Sequence, residues 1–218
     1  MLSVVPNTSG LIRVLCLGAH CDDIEIGCGG TLLTLAAGGR EVEFYWLVFT
    51  SDERRKQEAL KSAALFLENI PRRTVLVDSH RDGYLPYIGS SIKDRFEQLK
   101  SEFVPDLILT HYGRDLHQDH RLISDLTWNT FRDHLILEYE IPKYDGDFGA
   151  PNVFVSLSRP VVERKIETVL NAFRSQTDKH WFSRELFLSV MRLRGMEGNS
   201  PSGYAEAFYC RKSVLEVR

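Results

Sequence analysis

Short apolar runs alternate with amphipathic stretches over the first 135 residues of the chain. Residues 12–17 (IRVLCL), 41–49 (EVEFYWLVF), 74–78 (TVLVD) and 105–110 (PDLILT) are strand-like runs, apolar on both faces as strands of a covered parallel sheet are. Between them lie helix-like patterns: residues 31–39 (TLLTLAAGG), closed by Gly38 and Gly39, residues 52–68, which place Ala59, Ala63 and Leu67 beside Leu60 and Ala64 on one face, and residues 92–103. This alternation predicts an α/β fold with a mostly parallel sheet flanked by helices. Beyond residue 135 the pattern is less regular, with a strand over 150–158 (APNVFVSLS) and helices over 160–173 and 181–194. No Gly-, Ser- or Pro-rich linker and no internal repeat divides the chain, so residues 1–218 are read as a single domain.

Composition narrows the class only slightly. A length of 218 residues, 43% hydrophobic and 26% charged, is that of an ordinary globular domain able to build its own core. A net charge of −3 gives no basic field for nucleic acid or for an anionic membrane surface. The longest apolar stretch, Phe44–Phe49, falls far short of the roughly 20 residues that span a bilayer. The opening residues MLSVVPNTSG lack the basic and apolar regions of a secretory leader, and the expected setting is cytoplasmic. Cys16, Cys21, Cys28 and Cys210 form no C-x-x-C pair, and Cys16 reads as a small core residue.

Chemistry concentrates at two strand ends. The first strand runs into GAHCDDIE, with His20, Asp22, Asp23 and Glu25, and the fourth into HYGRDLHQDHR, with His111, Asp115, His117, Asp119 and His120. In open α/β sheets ligands bind beyond the carboxyl ends of the strands, where the strand order reverses. With the order 3-2-1-4 these two loops face one another. His20, Asp23 and His120 then suit a first-row metal, three protein ligands leaving a fourth position for water, as in catalytic rather than structural zinc sites. Asp22 is placed to act as general base, and His117 as acid or oxyanion stabiliser. His111 ends the fourth strand and is expected to orient the loop or to support the ligands from behind. His80, His134 and His180 have no such neighbours and read as ordinary surface or core residues. The run GCGGT misses the spacing G-x-G-x-x-G of dinucleotide binders, and its glycines are expected in a loop passing close under the metal.

AHCDDIEIGCGGT followed much later by DLHQDHR resembles the hallmarks A-H-P-D-D and H-x-D-H of the PIG-L/LmbE-like family of zinc-dependent N-deacetylases. RKQE, RDGYL, PDLILTH, YEIP, PNVFVSLS and AEAF extend the likeness over nearly the whole chain. The resemblance implies a Rossmann-like fold and removal of acetyl from a small-molecule N-acetylated amino sugar or its conjugate. It implies Zn2+ on His20, Asp23 and His120, Asp22 as base and His117 on the transition-state side. It also implies Arg55 and Asp82 near the sugar, and a symmetric homo-oligomer. Asp115 is expected to contact substrate. One departure lies inside the hallmark, where Cys21 replaces proline, releasing φ and adding an N–H to the loop. Two rivals differ in class. Two histidines and a carboxylate also serve non-haem iron oxygenases, although those sites sit on antiparallel scaffolds, and a non-catalytic sugar-binding protein would keep the fold while releasing no acetate.

Overall fold

The computed structural model describes residues 10–214; the opening residues read above for a leader lie, up to residue 9, outside the described part. In chain order the elements are β1 (Ile12–Gly18), α1 (Asp23–Ala37), β2 (Val42–Thr50), α2 (Glu53–Phe66), β3 (Arg72–His80), α3 (Gly89–Glu102), β4 (Leu107–His111), α4 (Gln118–Thr130), β5 (Leu135–Tyr139), β6 (Val153–Ser156), α5 (Arg159–Ala172), α6 (Arg184–Glu197) and β7 (Ala205–Tyr209). They form one seven-stranded sheet of order β3-β2-β1-β4-β5-β7-β6. The first five strands are parallel, and at one edge β7 runs antiparallel between β5 and β6.

Strand alternation sorts the core into two layers. Val14, Cys16, Phe44, Trp46 and Val48 point to the side covered by α1, α2, α5 and α6, while Leu15, Leu17, Tyr45, Leu47 and Phe49 point to the side covered by α3 and α4. β1 and β4 are neighbours, in register from Val14 with Leu107 to Cys16 with Leu109. Helices after β1 and after β4 therefore leave the sheet on opposite faces, and a crevice opens between their first turns.

The glycine-rich run belongs to a helix, not to a loop. α1 starts at Asp23, eight residues before the expected Thr31, and contains Gly27, Gly29 and Gly30. Glycine inside a helix costs roughly 0.5–1 kcal/mol relative to alanine, and packing explains its presence. A Cβ on Gly27 would lie 2.2 Å from the Tyr139 ring, and one on Gly30 would lie 2.6 Å from Leu157 Cδ1. The missing side chains let α1 lie directly on the sheet, so that its first turn presses into the crevice. α4, β5 and β7 also lie where no element was expected. α4 carries no strong apolar stripe at its start because that start is built of site residues, and the apolar runs of β5 and β7 are each interrupted by a buried glutamate, Glu138 and Glu206.

Candidate active site

After Gly18 the chain turns through Ala19–Asp22 into α1, and distant bonds fix that turn. The Ala19 amide donates to His111 Nε2 (2.9 Å) at the end of β4. Its carbonyl accepts from the Thr50 amide (2.9 Å) and hydroxyl (2.7 Å) at the end of β2. Cys21, fully buried, donates its thiol to the Thr50 carbonyl at 3.4 Å, and burial raises the thiol well above its ordinary pKa. It thus ties the turn to β2 as a neutral group. The His20 amide donates to Asp23 Oδ2 at 2.6 Å, aligning the carboxylate with its neighbour's ring.

Three side chains from the two strand ends then meet. His20 Nδ1 lies 3.0 Å from His120 Nε2 and 3.2 Å from Asp23 Oδ2, and His120 Nε2 lies 3.5 Å from Asp23 Oδ1. Ligands at ~2.0–2.1 Å from a tetrahedral ion stand about 3.3 Å apart, and these edges, which end on different oxygens of Asp23, are on the scale of one small divalent cation's ligand shell. Overlapping sets, His20 with His117 and His120, Asp23 with His111 and His120, and His20 with Asp82 and Asp119, make a continuous band of metal-competent donors. His20 and His120 are each supported from behind. His120 Nδ1 faces Asp115 Oδ2 at 2.9 Å, and His20 Nε2 faces Asp82 Oδ1 at 3.0 Å and Asp119 Oδ2 at 3.4 Å. Such carboxylate partners fix ring orientation and raise ligand basicity.

The electrostatics follow from this crowding. Burial opposes ionisation of Asp23, yet His120, His20 and His111 together hold its carboxyl well below the usual range. Burial likewise works against a charged His20, and Asp23, Asp119 and Asp82 outweigh it to raise that imidazole well above its ordinary value. His111, fully buried, is lowered to about 4 by burial and by His120, so it stands neutral. Its Nε2 meets both the Ala19 amide and, at 3.2 Å, Asp23 Oδ2, while Nδ1 is buried without a partner. His117 is also lowered, by burial and then by His120 and His20. Its Nδ1 accepts from the Asp119 amide at 3.2 Å, which puts the proton of the neutral ring on Nε2. The ring lies 4.7 Å, centroid to centroid, from both His20 and His120.

Asp22 stands beside the cluster with its two oxygens in different states. Oδ1 accepts from Arg55 Nη2 at 3.1 Å, whereas Oδ2 is buried without a hydrogen-bond partner. Burial raises its carboxyl despite Arg55. Arg55 Nη1 also donates to Asp82 Oδ2 at 3.1 Å, and the half-exposed Asp82 marks the solvent side. Glu25, one turn into α1, is fully buried with neither oxygen hydrogen-bonded, and burial raises its carboxyl well above the ordinary range.

His20, Asp22, Asp23, His117, His120, Arg55 and Asp82 are thus brought to one crevice. Asp115 is the exception. Expected toward substrate, it is 1% exposed and turned inward, with Oδ1 accepting from the His117 amide (2.8 Å) and Oδ2 against His120. Its position two residues before His117 bends the carboxylate back onto its own turn. Asp119 went unassigned in the sequence and proves to be a floor residue, its oxygens accepting from the Gly83 (2.7 Å) and Leu85 (3.1 Å) amides. Its place inside H-x-D-H was the available signal. Lys143 and Asp147, which bond behind Asp115, have no sequence signal because they sit in an irregular segment.

Fold and site together define an α/β protein with a histidine–carboxylate cluster at the switch point of its sheet. A family model described as PIG-L, GlcNAc-PI de-N-acetylase, matches residues 15–131, and the chain belongs to this family. Membership supports a hydrolytic N-deacetylase. Among solved structures, the chain is similar to the conserved protein TT1542 from Thermus thermophilus (23% identity, 94% of this chain and 97% of that one, TM-score 0.71). It is similar also to N,N'-diacetylchitobiose deacetylase from Pyrococcus horikoshii (22% identity, 91% and 83%, TM-score 0.65). A third likeness is to GalB, the 4-carboxy-2-hydroxymuconate hydratase of Pseudomonas putida (15% identity, 95% and 99%, TM-score 0.69). At these identities the likeness is one of fold, and the third shows a hydratase on the same scaffold.

Proposed function

We propose that the chain is a zinc-dependent hydrolase that removes acetyl from an N-acetylated amino sugar or amino-sugar conjugate, giving acetate and a free amine. The observation that carries this reading is Asp22, whose unpartnered, buried Oδ2 lies beside a three-donor cluster spaced for one divalent cation. His20, Asp23 and His120 would hold that ion. When bound, zinc supplies Lewis acidity, polarising a carbonyl and lowering the pKa of a water toward neutrality.

The remaining chemistry belongs to the chain's own residues. Asp22 Oδ2 takes the proton of the attacking water, a role its raised carboxyl suits better than an ordinary aspartate would. Arg55 keeps the other oxygen turned away from the reacting atoms. The neutral His117 donates from Nε2 to the oxygen on which negative charge develops. As the C–N bond breaks, the proton held by Asp22 passes to the leaving nitrogen, and acetate and amine result. Asp82, on the solvent side, and Arg55, bonded to it, would meet sugar hydroxyls.

Acetate release over a panel of N-acetylated sugars, with and without a chelator, tests the proposal. Release that stops on chelation and returns with zinc is the expected result. Zinc-loaded protein that liberates acetate from no acetamido sugar would sink it, and hydration of an unsaturated acid by the same protein would assign it the other chemistry of this scaffold.

A further inference from the structure

Asp115, the carboxylate behind His120, is held from the far side by a cation outside both sequence motifs. Lys143 Nζ lies 2.8 Å from Asp115 Oδ2 and 2.8 and 2.6 Å from the two oxygens of Asp147, with the Ile141 carbonyl at 3.3 Å. All three charged side chains are at most 12% exposed. Asp147 Oδ2 in turn accepts from the Leu116 amide at 2.7 Å, one residue before His117. Residues 140–152 contain no regular element, and their ends are tied elsewhere: Glu140 to Arg194, and the Gly149 amide to the Tyr209 hydroxyl at 2.9 Å. Between those ties, Lys143 and Asp147 are what seats the segment on the 112–120 turn.

We infer that Lys143 is a positioning residue for the candidate metal centre: its ammonium draws Asp115 and Asp147 onto one point, holding Asp115 against His120 Nδ1 and the 141–149 segment against the ligand-bearing turn. The inference rests on the metal reading proposed above. Without the cation two nearly buried carboxylates face each other unscreened. Like charges at that range part, and Asp115 loses the orientation that aims His120 Nε2 at Asp23 and His20.

The test is a zinc-affinity measurement by competition with a chromophoric chelator on the full chain, as wild type, Lys143→Met, Asp115→Asn and the charge-balanced double variant. Loss of a carboxylate behind a metal-bound histidine costs roughly 10–100-fold in affinity. We expect about tenfold or more weakening in Lys143→Met, at least as much in Asp115→Asn, and no further loss in the double variant, because Lys143 acts through Asp115. Lys143→Arg should keep most of the affinity. Thermal melting of the metal-free proteins separates a folding defect from a positioning one, and the double variant, which removes one charge of each sign, serves if Lys143→Met does not fold. Wild-type affinity in Lys143→Met, or losses that add in the double variant, would overturn the inference. A wild-type protein that takes up no zinc would overturn the metal reading itself, and this inference with it.

Discussion

Helix α1 borders two buried groups of charges that differ in how completely they are satisfied. Inside the helix, Glu206 Oε1 accepts from the Gly30 amide (2.7 Å) and Lys165 Nζ (2.6 Å), and Oε2 from the Thr31 amide (2.6 Å) and hydroxyl (2.7 Å). Lys165 also donates to the Ile26 carbonyl at 2.7 Å. An ideal helix pairs the amide of residue 30 with the carbonyl of residue 26, and here the ion pair caps those same two groups. At the helix's first turn, by contrast, Asp22 Oδ2, both oxygens of Glu25 and His111 Nδ1 are buried with no partner. A buried polar atom left unpaired costs about 1–3 kcal/mol, and folding alone gives no reason to gather several. The first group is satisfied within the fold, whereas the second keeps bonding capacity that the fold itself does not use, of which Asp22 Oδ2 is the atom the proposed reaction would employ.

Substitutions can test that contrast directly. The largest effect is expected at the unsatisfied end: Asp22→Asn should lower turnover by about two to four orders of magnitude, the usual share of a general base, while keeping stoichiometric zinc. Normal turnover in that variant would mean that another group is the base. Next comes the satisfied end. Lys165→Met leaves Glu206 buried without its cation and should cost about 3–5 kcal/mol in denaturant unfolding, with the zinc affinity of the folded fraction unchanged. Altered zinc binding there would show that the two groups act as one.

Zinc itself should act on one group alone. At a free concentration a hundredfold above its dissociation constant it should stabilise the chain by about 2.7 kcal/mol, raising the melting temperature by roughly 5–10 °C at this size. His120→Ala should abolish that shift and Lys165→Met should retain it. Near pH 5, Glu25→Gln gives the smallest effect. Because burial holds Glu25 above the ordinary carboxyl range, its contribution is complete below the unfolded value and falls as pH rises past about 4.5. Urea titrations of wild type and variant should therefore run parallel below pH 4, the variant gaining at most about 1.4 kcal/mol per pH unit above that. Parallel curves up to neutral pH would show that Glu25 is ionised in the folded protein.

The legible and illegible parts of the site separate by distance along the chain. His20, Asp22 and Asp23 follow a strand that its apolar run already marks, and the His20 amide bond to Asp23 spans three residues. H-x-D-H likewise opens a helix. Asp115, expected toward substrate, turns inward, where its partners include Lys143, 28 residues away and in an irregular segment. The glycines of α1 read as loop because local propensity disfavours them in helices, and the side chains of Tyr139, Phe66 and Leu157, distant in sequence, explain them. Strands β5 and β7 were missed because each carries a buried glutamate, Glu138 or Glu206, that interrupts its apolar run.

By itself the sequence determined the alternation of strand and helix, and with it the crevice beyond β1 and β4 and most of the groups that line it. Those are consequences of side-chain pattern, which a chain carries locally. Tertiary structure alone decided which way each carboxylate turns, which charges are answered and which are left open. Such choices depend on partners distant in sequence, and a buried charge is stabilised only by the groups that finally surround it.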